Sequence, residues 1–118
     1  MKPQSAKQKG RVLQQEIRDL ILENFKELEP DDVRSTSIGA PGEDILLSPL
    51  ARKRIPFSME AKNQQTTSIW EWIKQAESNA KGHIPLVVFR RNRSKTYAVI
   101  ELKELVAIMK ELHILKNK

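Results

Sequence analysis

Three residues stand where they can do chemistry together. Glu60 and Lys62 are separated by one residue in the run PFSMEAK (56–62), and Asp44 lies upstream, just after the turn GAPG (39–42). If 56–62 is a strand, its side chains alternate between two faces. Phe57, Met59 and Ala61 then point one way and Ser58, Glu60 and Lys62 the other, so a carboxylate and an ammonium are neighbours. If the segment opened by Asp44 pairs with this strand as a hairpin, a second carboxylate reaches the first. Two carboxylates, a backbone carbonyl and waters make a hard oxygen site of the kind that takes Mg²⁺. A lysine beside it can orient or help deprotonate a water, and can stabilise negative charge that develops during a reaction. Alone, such a pair on a strand is most often a solvated polar face. Here the apolar flanks argue for a central strand, where a charged pair is costly unless it has a use.

Composition narrows the classes. A chain of 118 residues with 39% hydrophobic content suffices for one compact domain, expected to span 1–118. Lys and Arg number 21 against 15 Asp and Glu, a net charge of +6, which favours polyanionic partners such as nucleic acid. There is no cysteine, which excludes disulfides and thiolate metal sites. His83 and His113 lie far apart without ligand spacing. No apolar run approaches the roughly 20 residues that span a bilayer, so no membrane partner is expected. The start MKPQSAKQKG is charged but has no apolar segment behind it, unlike a signal peptide, and the expected location is the cytoplasm.

The elements that must position the triad follow from periodicity. Residues 1–9 are polar and expected to fray. Leu13, Ile17, Leu20, Ile21, Phe25 and Leu28 mark a helix from about Arg11 to Leu28. Val33–Ile38 and Asp44–Ser48 are read as strands, Pro49–Arg54 as a polar, basic connection, and Pro56–Lys62 as the strand carrying Glu60 and Lys62. A helix over about 69–80, closed by Gly82, follows a loop at 63–67. Ile84–Phe89 and Thr96–Ile100 form a hairpin around a basic turn, and apolar spacing from Leu102 to Leu112 predicts a last helix. The order α-β-β-β-α-β-β-α predicts an α/β fold, a central mixed sheet flanked by helices.

With these elements in place, GEDILLS (42–48) followed by FSMEAK (57–62) resembles the D-x(n)-ExK signature of PD-(D/E)XK nucleases, whose restriction-endonuclease-like core has this order of helix, strands, ExK and helix. KGRVLQQEIRDLIL resembles the first helix of archaeal and phage Holliday-junction resolvases, and VRSTSIGAPGEDIL their R-S-x-G…D segment. WEWIKQAESNA is similar to their helix after ExK, and IPLVVFRRN to the strand that follows. The resemblance covers roughly residues 9–108. It implies that Asp44 and Glu60 hold a divalent metal, Mg²⁺ or Mn²⁺, with the Ala61 carbonyl as third ligand. Lys62 would position the water, and Gln75 would support Lys62 or the phosphate. One departure stands out: where archaeal resolvases carry a Glu on the first helix, this chain has Gln14, and Glu16 lies roughly 200° around the helix from it. A one-metal site, or one completed by water, is the expectation.

Further residues carry a functional and a plain reading side by side. Arg52, Lys53 and Arg54 border the expected site and are candidates for DNA phosphate contact, or else a solvated turn. Arg91 and Arg93, with Arg90 and Lys95, are candidates for backbone contact from the hairpin turn. Ser35 and Ser37 precede the glycine turn, where the resemblance implies a serine near the scissile phosphate. Trp70 is expected in the core, whereas Trp72 could stack on a base, sit at a dimer interface or simply pack. His83 is read as structural or exposed.

The expected function is a metal-dependent DNA endonuclease, structure-selective and resolvase-like, acting in recombination as a homodimer, in the bacterial host if encoded by a phage. The alternatives are a nickase or another recombination- or restriction-type nuclease of the same superfamily, or a non-catalytic DNA-binding module. Retention of Asp44, Glu60, Lys62 and Gln75 speaks against the last.

Overall fold

The computed structural model describes residues 5–37 and 40–118. Residues 1–4 of the expected frayed start, Ile38 of the expected strand and Gly39 of the expected turn lie outside the described residues.

Helix α1 spans Ala6–Asn24, earlier at both ends than the apolar spacing predicts. Its start is set by a capping box rather than by apolar residues: Ser5 Oγ accepts the Gln8 N–H and the Gln8 side chain accepts the Ser5 N–H, both at 3.2 Å. Residues 6–9 are therefore helical, not frayed. Leu28, counted as the last helical position, is instead buried from the loop beyond the helix. A 3₁₀ turn at Pro30–Asp32 leads into a short antiparallel ribbon, β1 (Val33–Ser35) and β2 (Ile45–Leu47), with Val33 opposite Leu47.

The expected connection at 49–54 is a helix, α2 (Pro49–Arg54). Ser48 Oγ accepts the Ala51 N–H at 3.1 Å, and Pro49 occupies the first turn, where its missing N–H costs nothing. Six residues are too few for periodicity to reveal, so only the Ser-Pro cap signals this helix. It also rules out a hairpin between the segments bearing Asp44 and Glu60.

Strand β3 (Phe57–Asn63) runs parallel to β4 (Ile84–Arg90), with helix α3 (Ile69–Asn79) between them in sequence. Strand β5 (Tyr97–Val99) adds antiparallel to β4, and α4 (Leu102–Lys116) ends the chain. One backbone bond, Asp44 N–H to Met59 C=O at 2.9 Å, stitches the β1–β2 ribbon to β3. The result is the expected α/β architecture, a mixed sheet flanked by helices, compatible with a restriction-endonuclease-like core.

Alternation along β3 and β4 builds two cores. Met59 and Val88 pack with Leu13 and Ile17 of α1 and with Val33, Ile45, Ala51 and Ile55. Val87 faces the other way, onto Trp72 and Ala76 of α3. The expectation for Trp70 is overturned, and of the readings for Trp72 the plain one, packing, holds. Trp72 is buried at 4% exposure, 6.0 Å from the Phe89 ring, whereas Trp70 is 80% exposed. Two positions apart on a helix is about 200° of rotation, so only one of the pair can face the sheet. Trp72 shares the buried stripe with Ala76 one turn on. At the end of α3, Lys81 and Gly82 both take positive φ (46° and 88°), turning the chain back into β4. Helix α4 buries none of its side chains. Among the described residues no helix is long and apolar enough to cross a membrane.

Leu13 is fully buried where α1 meets the sheet. Leu13→Ala is expected to lower stability by about 2–5 kcal/mol, read as a lower urea midpoint at unchanged slope. A change below ~1 kcal/mol would mean that α1 does not carry this core.

Candidate active site

Asp44 sits at the junction of the ribbon and β3, held at two points. Its backbone N–H donates to Met59 C=O, and its Oδ2 accepts the Ala61 N–H at 2.7 Å. The carboxylate thus takes a ladder position that a longer β2 would have filled with a carbonyl. Because the N–H and C=O of one strand residue leave on the same side, the Ala61 carbonyl lies along the edge that Asp44 occupies.

Glu60 is on the opposite face of β3 from Met59, and is 1% exposed. Its Oε1 accepts a hydrogen bond from Asn79 Nδ2 at 2.7 Å, and Ser58 Oγ donates to the Asn79 carbonyl at 3.4 Å. The last residue of α3 therefore clamps β3 on both sides of Met59 and fixes one carboxylate oxygen of Glu60. Sequence reasoning passed over Asn79. The signal that finds it is the helical spacing of Glu71, Lys74, Gln75, Ser78 and Asn79, a polar stripe opposite the buried one.

Electrostatics agree with the geometry. Burial pushes the Asp44 carboxyl above its ordinary range, opposed by the Ala61 N–H and the Lys62 ammonium. Burial also pushes Glu60 up; Asn79 opposes this, the nearby Asp44 charge adds to it, and Lys62 lowers it. Two neighbouring carboxyls, both pushed up by burial, are a cation-seeking pair.

These residues form the floor of a cleft of about 920 Å³. One wall is the first half of α1 (Lys7, Gly10, Gln14), another is the polar stripe of α3, and the 40–42 turn closes a third side. Gln14 is 3% exposed, and its Oε1 has no hydrogen-bond partner. An orphaned buried amide oxygen costs free energy unless something fills the space in front of it. Glu16 faces elsewhere, as expected, pairing with Arg90 at 3.0 Å. Among the described residues no three His, Asp and Glu side chains gather tightly enough to ligate one ion. The available donors are two carboxylates, the Ala61 carbonyl and the Gln14 amide oxygen, with no nitrogen or sulfur among them. Such a set suits a hard divalent cation that keeps part of its water.

Of the residues singled out in the sequence, the fold brings Asp44, Glu60, Ala61, Lys62 and Gln75 to this cleft. Gln75 is exposed on the α3 wall. The other candidates lie outside it. Arg52 binds the Phe57 carbonyl and Glu43, and Arg54 pairs with Glu27 at 3.1 Å. Ser35, Ser37, Lys53, Arg91 and Arg93 are exposed elsewhere on the surface.

A family model described as "Phage putative PDDEXK endonuclease" matches residues 5–117. The chain belongs to this family. No curated protein and no solved structure matches it. The PDDEXK family is the superfamily expected from the D…ExK pattern, and its description carries nuclease activity and hence DNA as substrate. The D…ExK residues of that pattern, Asp44, Glu60 and Lys62, all line the floor of this cleft.

The raised carboxyls have a consequence for stability. Asp44 and Glu60 keep protons in the metal-free fold at pH values where the unfolded chain, titrating near pH 4, has released them. The fold then binds more protons than the unfolded chain, so stability falls as pH rises through the folded values. Asp32 behaves oppositely: the Ser48 hydroxyl and the Glu29 N–H hold it below the ordinary range, and its contribution is lost as pH falls. In EDTA, the melting temperature is expected to decline as pH rises above the ordinary carboxylate range. Glu60→Gln should flatten that decline, and Mg²⁺ should stabilise wild type more at neutral than at acid pH. Equal Mg²⁺ stabilisation at both pH values would refute the pairing.

Proposed function

We propose that this chain is a divalent-metal-dependent DNA endonuclease, using Mg²⁺ or Mn²⁺, with Asp44, Glu60, Lys62 and Gln75 as its catalytic residues. The observation that carries the reading is the convergence of Asp44 and Glu60 on Ala61 and Lys62 at the floor of one cleft. Asp44, Glu60 and the Ala61 carbonyl would hold the cation, which when bound would supply Lewis acidity toward the phosphate. The chain's own residues do the rest. Asn79 fixes Glu60 so that only its second oxygen is free to turn inward. The Lys62 ammonium, near both carboxylates, orients the attacking water and stabilises negative charge on the phosphoryl oxygens. Gln75, on the α3 wall, supports Lys62 or the phosphate. In the balanced reaction the water oxygen bonds to phosphorus, the bridging P–O bond breaks, and a proton passes to the departing oxygen. Ser35, Ser37, Lys53, Arg91 and Arg93 are exposed cationic or hydroxyl groups available to more distant phosphates.

The finer reading is branched DNA cut by a homodimer. One chain carries one site, and a four-way junction has two strands to cut. Helix α4 supports the pairing: it exposes Leu102, Val106, Met109, Leu112 and Leu115, and Trp70 stands exposed on the adjoining groove with Val99 and Ile100. An apolar face over a helix of about 22 Å suits a second copy related by two-fold symmetry.

Asp44→Asn, Glu60→Gln and Lys62→Ala are each expected to lower Mg²⁺-dependent cleavage by orders of magnitude while DNA binding persists. Matched linear, nicked, flapped and four-way substrates should show preference for the branched ones. Full activity in EDTA or in Glu60→Gln would remove the site assignment, and nicking of linear duplex alone would make the enzyme a nickase.

Sedimentation at micromolar concentration is expected to give a dimer, and Val106→Asp with Met109→Asp a folded monomer. A wild type that stays monomeric, free and on a four-way junction, would remove the dimer.

A further inference from the structure

Two cations wall the cleft without a part in the proposed hydrolysis. Lys7, in the first turn of α1, and Lys74, midway along α3, both line it, and both are exposed. Among the described residues neither forms an ion pair, whereas Arg18, Arg52, Arg54 and Arg90 all do. A lysine with no carboxylate partner on the protein is open to an incoming anion. The two belong to different elements that pack on β3 from its two faces, so the floor residues lie between them.

The charges lining the cleft are evenly matched. Lys7, Lys62 and Lys74 face Asp44, Glu60 and Glu71. A divalent cation held by the floor carboxylates would tip that balance to positive, as an anionic backbone requires. The cations expected from sequence to contact phosphates, Arg52, Lys53, Arg54, Arg91 and Arg93, lie elsewhere, two of them neutralised by Glu43 and Glu27.

We infer that Lys7 and Lys74 bind the DNA phosphates on either side of the scissile one, so that the cut strand crosses the cleft mouth from α1 to α3. This rests on the nuclease reading and adds the strand's path. Glu71 lies one turn before Lys74 on the same wall, so along this path it repels the backbone. The path therefore predicts effects of opposite sign from neighbouring residues, which a merely structural role for α3 would not produce.

The test is binding of a fluorescent duplex by anisotropy as a function of salt, in the Glu60→Gln background to keep the DNA intact. Each phosphate that the protein ceases to neutralise makes the log–log salt slope shallower by about 1. Lys7→Ala with Lys74→Ala is expected to weaken binding and flatten the slope by about 2. Lys7→Arg with Lys74→Arg should restore both, and Glu71→Gln should tighten binding. Thermal unfolding of each variant reports folding separately. If the double alanine variant is folded and binds with the parent's affinity and slope, the inference is overturned, and wild-type cleavage would leave the nuclease reading standing. If binding responds as expected but wild type cuts no DNA, the path holds and only hydrolysis fails. A folded parent that binds no DNA overturns both.

Discussion

The double hold on Asp44 is the interaction on which the rest depends. Its N–H completes the ladder to Met59, and its carboxylate takes the next donor on that edge, the Ala61 N–H. The first bond joins a two-stranded ribbon to a three-stranded sheet. The second ends the pairing with a side chain in place of a strand. A backbone donor that would otherwise stand unpaired at a half-buried edge is satisfied, which matters because such groups are costly to leave alone. The same act brings a negative charge beside Glu60 and lines up the Ala61 carbonyl.

That arrangement carries a cost, visible in the raised Asp44 and Glu60 carboxyls. Like charges in a partly desolvated floor oppose folding unless cations or donors offset them. The offsets come from several elements: the Lys62 ammonium on β3, the Asn79 amide at the end of α3, and the Ala61 N–H. Gln14 adds an unpartnered oxygen from α1 rather than another charge. The floor is left short of cationic partners, a local departure from stability rules of the kind met at functional sites. The apolar cores on the two faces of the sheet hold the site in place, with Ala61 packed against one of them.

Rigidity and exposure divide along the same lines. The floor sits on β3, paired along its length with β4 and clamped by Ser58 and Glu60 to Asn79. The cleft walls, in contrast, are single faces of two helices whose other sides are buried. Side chains such as Lys7, Lys74 and Gln75 are free to meet a substrate while their backbones stay fixed by Leu13, Trp72 and Ala76. Helix α4 stands apart from this, with an apolar face and no buried side chain of its own.

Much of this was legible from residue order alone. The two-residue alternation of FSMEAK placed Met59 inward and Glu60 with Lys62 on the other face, because strand geometry leaves no other choice. The apolar spacing of α1 and the polar spacing around Gln75 are local properties of a helix, so the elements and their faces could be read. Other features depended on contacts between distant segments. The Ser-Pro cap made α2 from six residues that carry almost no periodicity, and so replaced the expected hairpin by a single stitch at Asp44. Which tryptophan is buried turned on where α3 meets β4. Asn79 became a partner of Glu60 only when α3 packed on β3, and Arg52 and Arg54 found Glu43 and Glu27 only when loops closed. The sequence by itself determined the triad, the faces of its strand and the α/β class, since these follow from backbone periods and residue chemistry. Only the tertiary structure decided which charges stay free and which are paired, because pairing depends on the distance between side chains far apart in the chain.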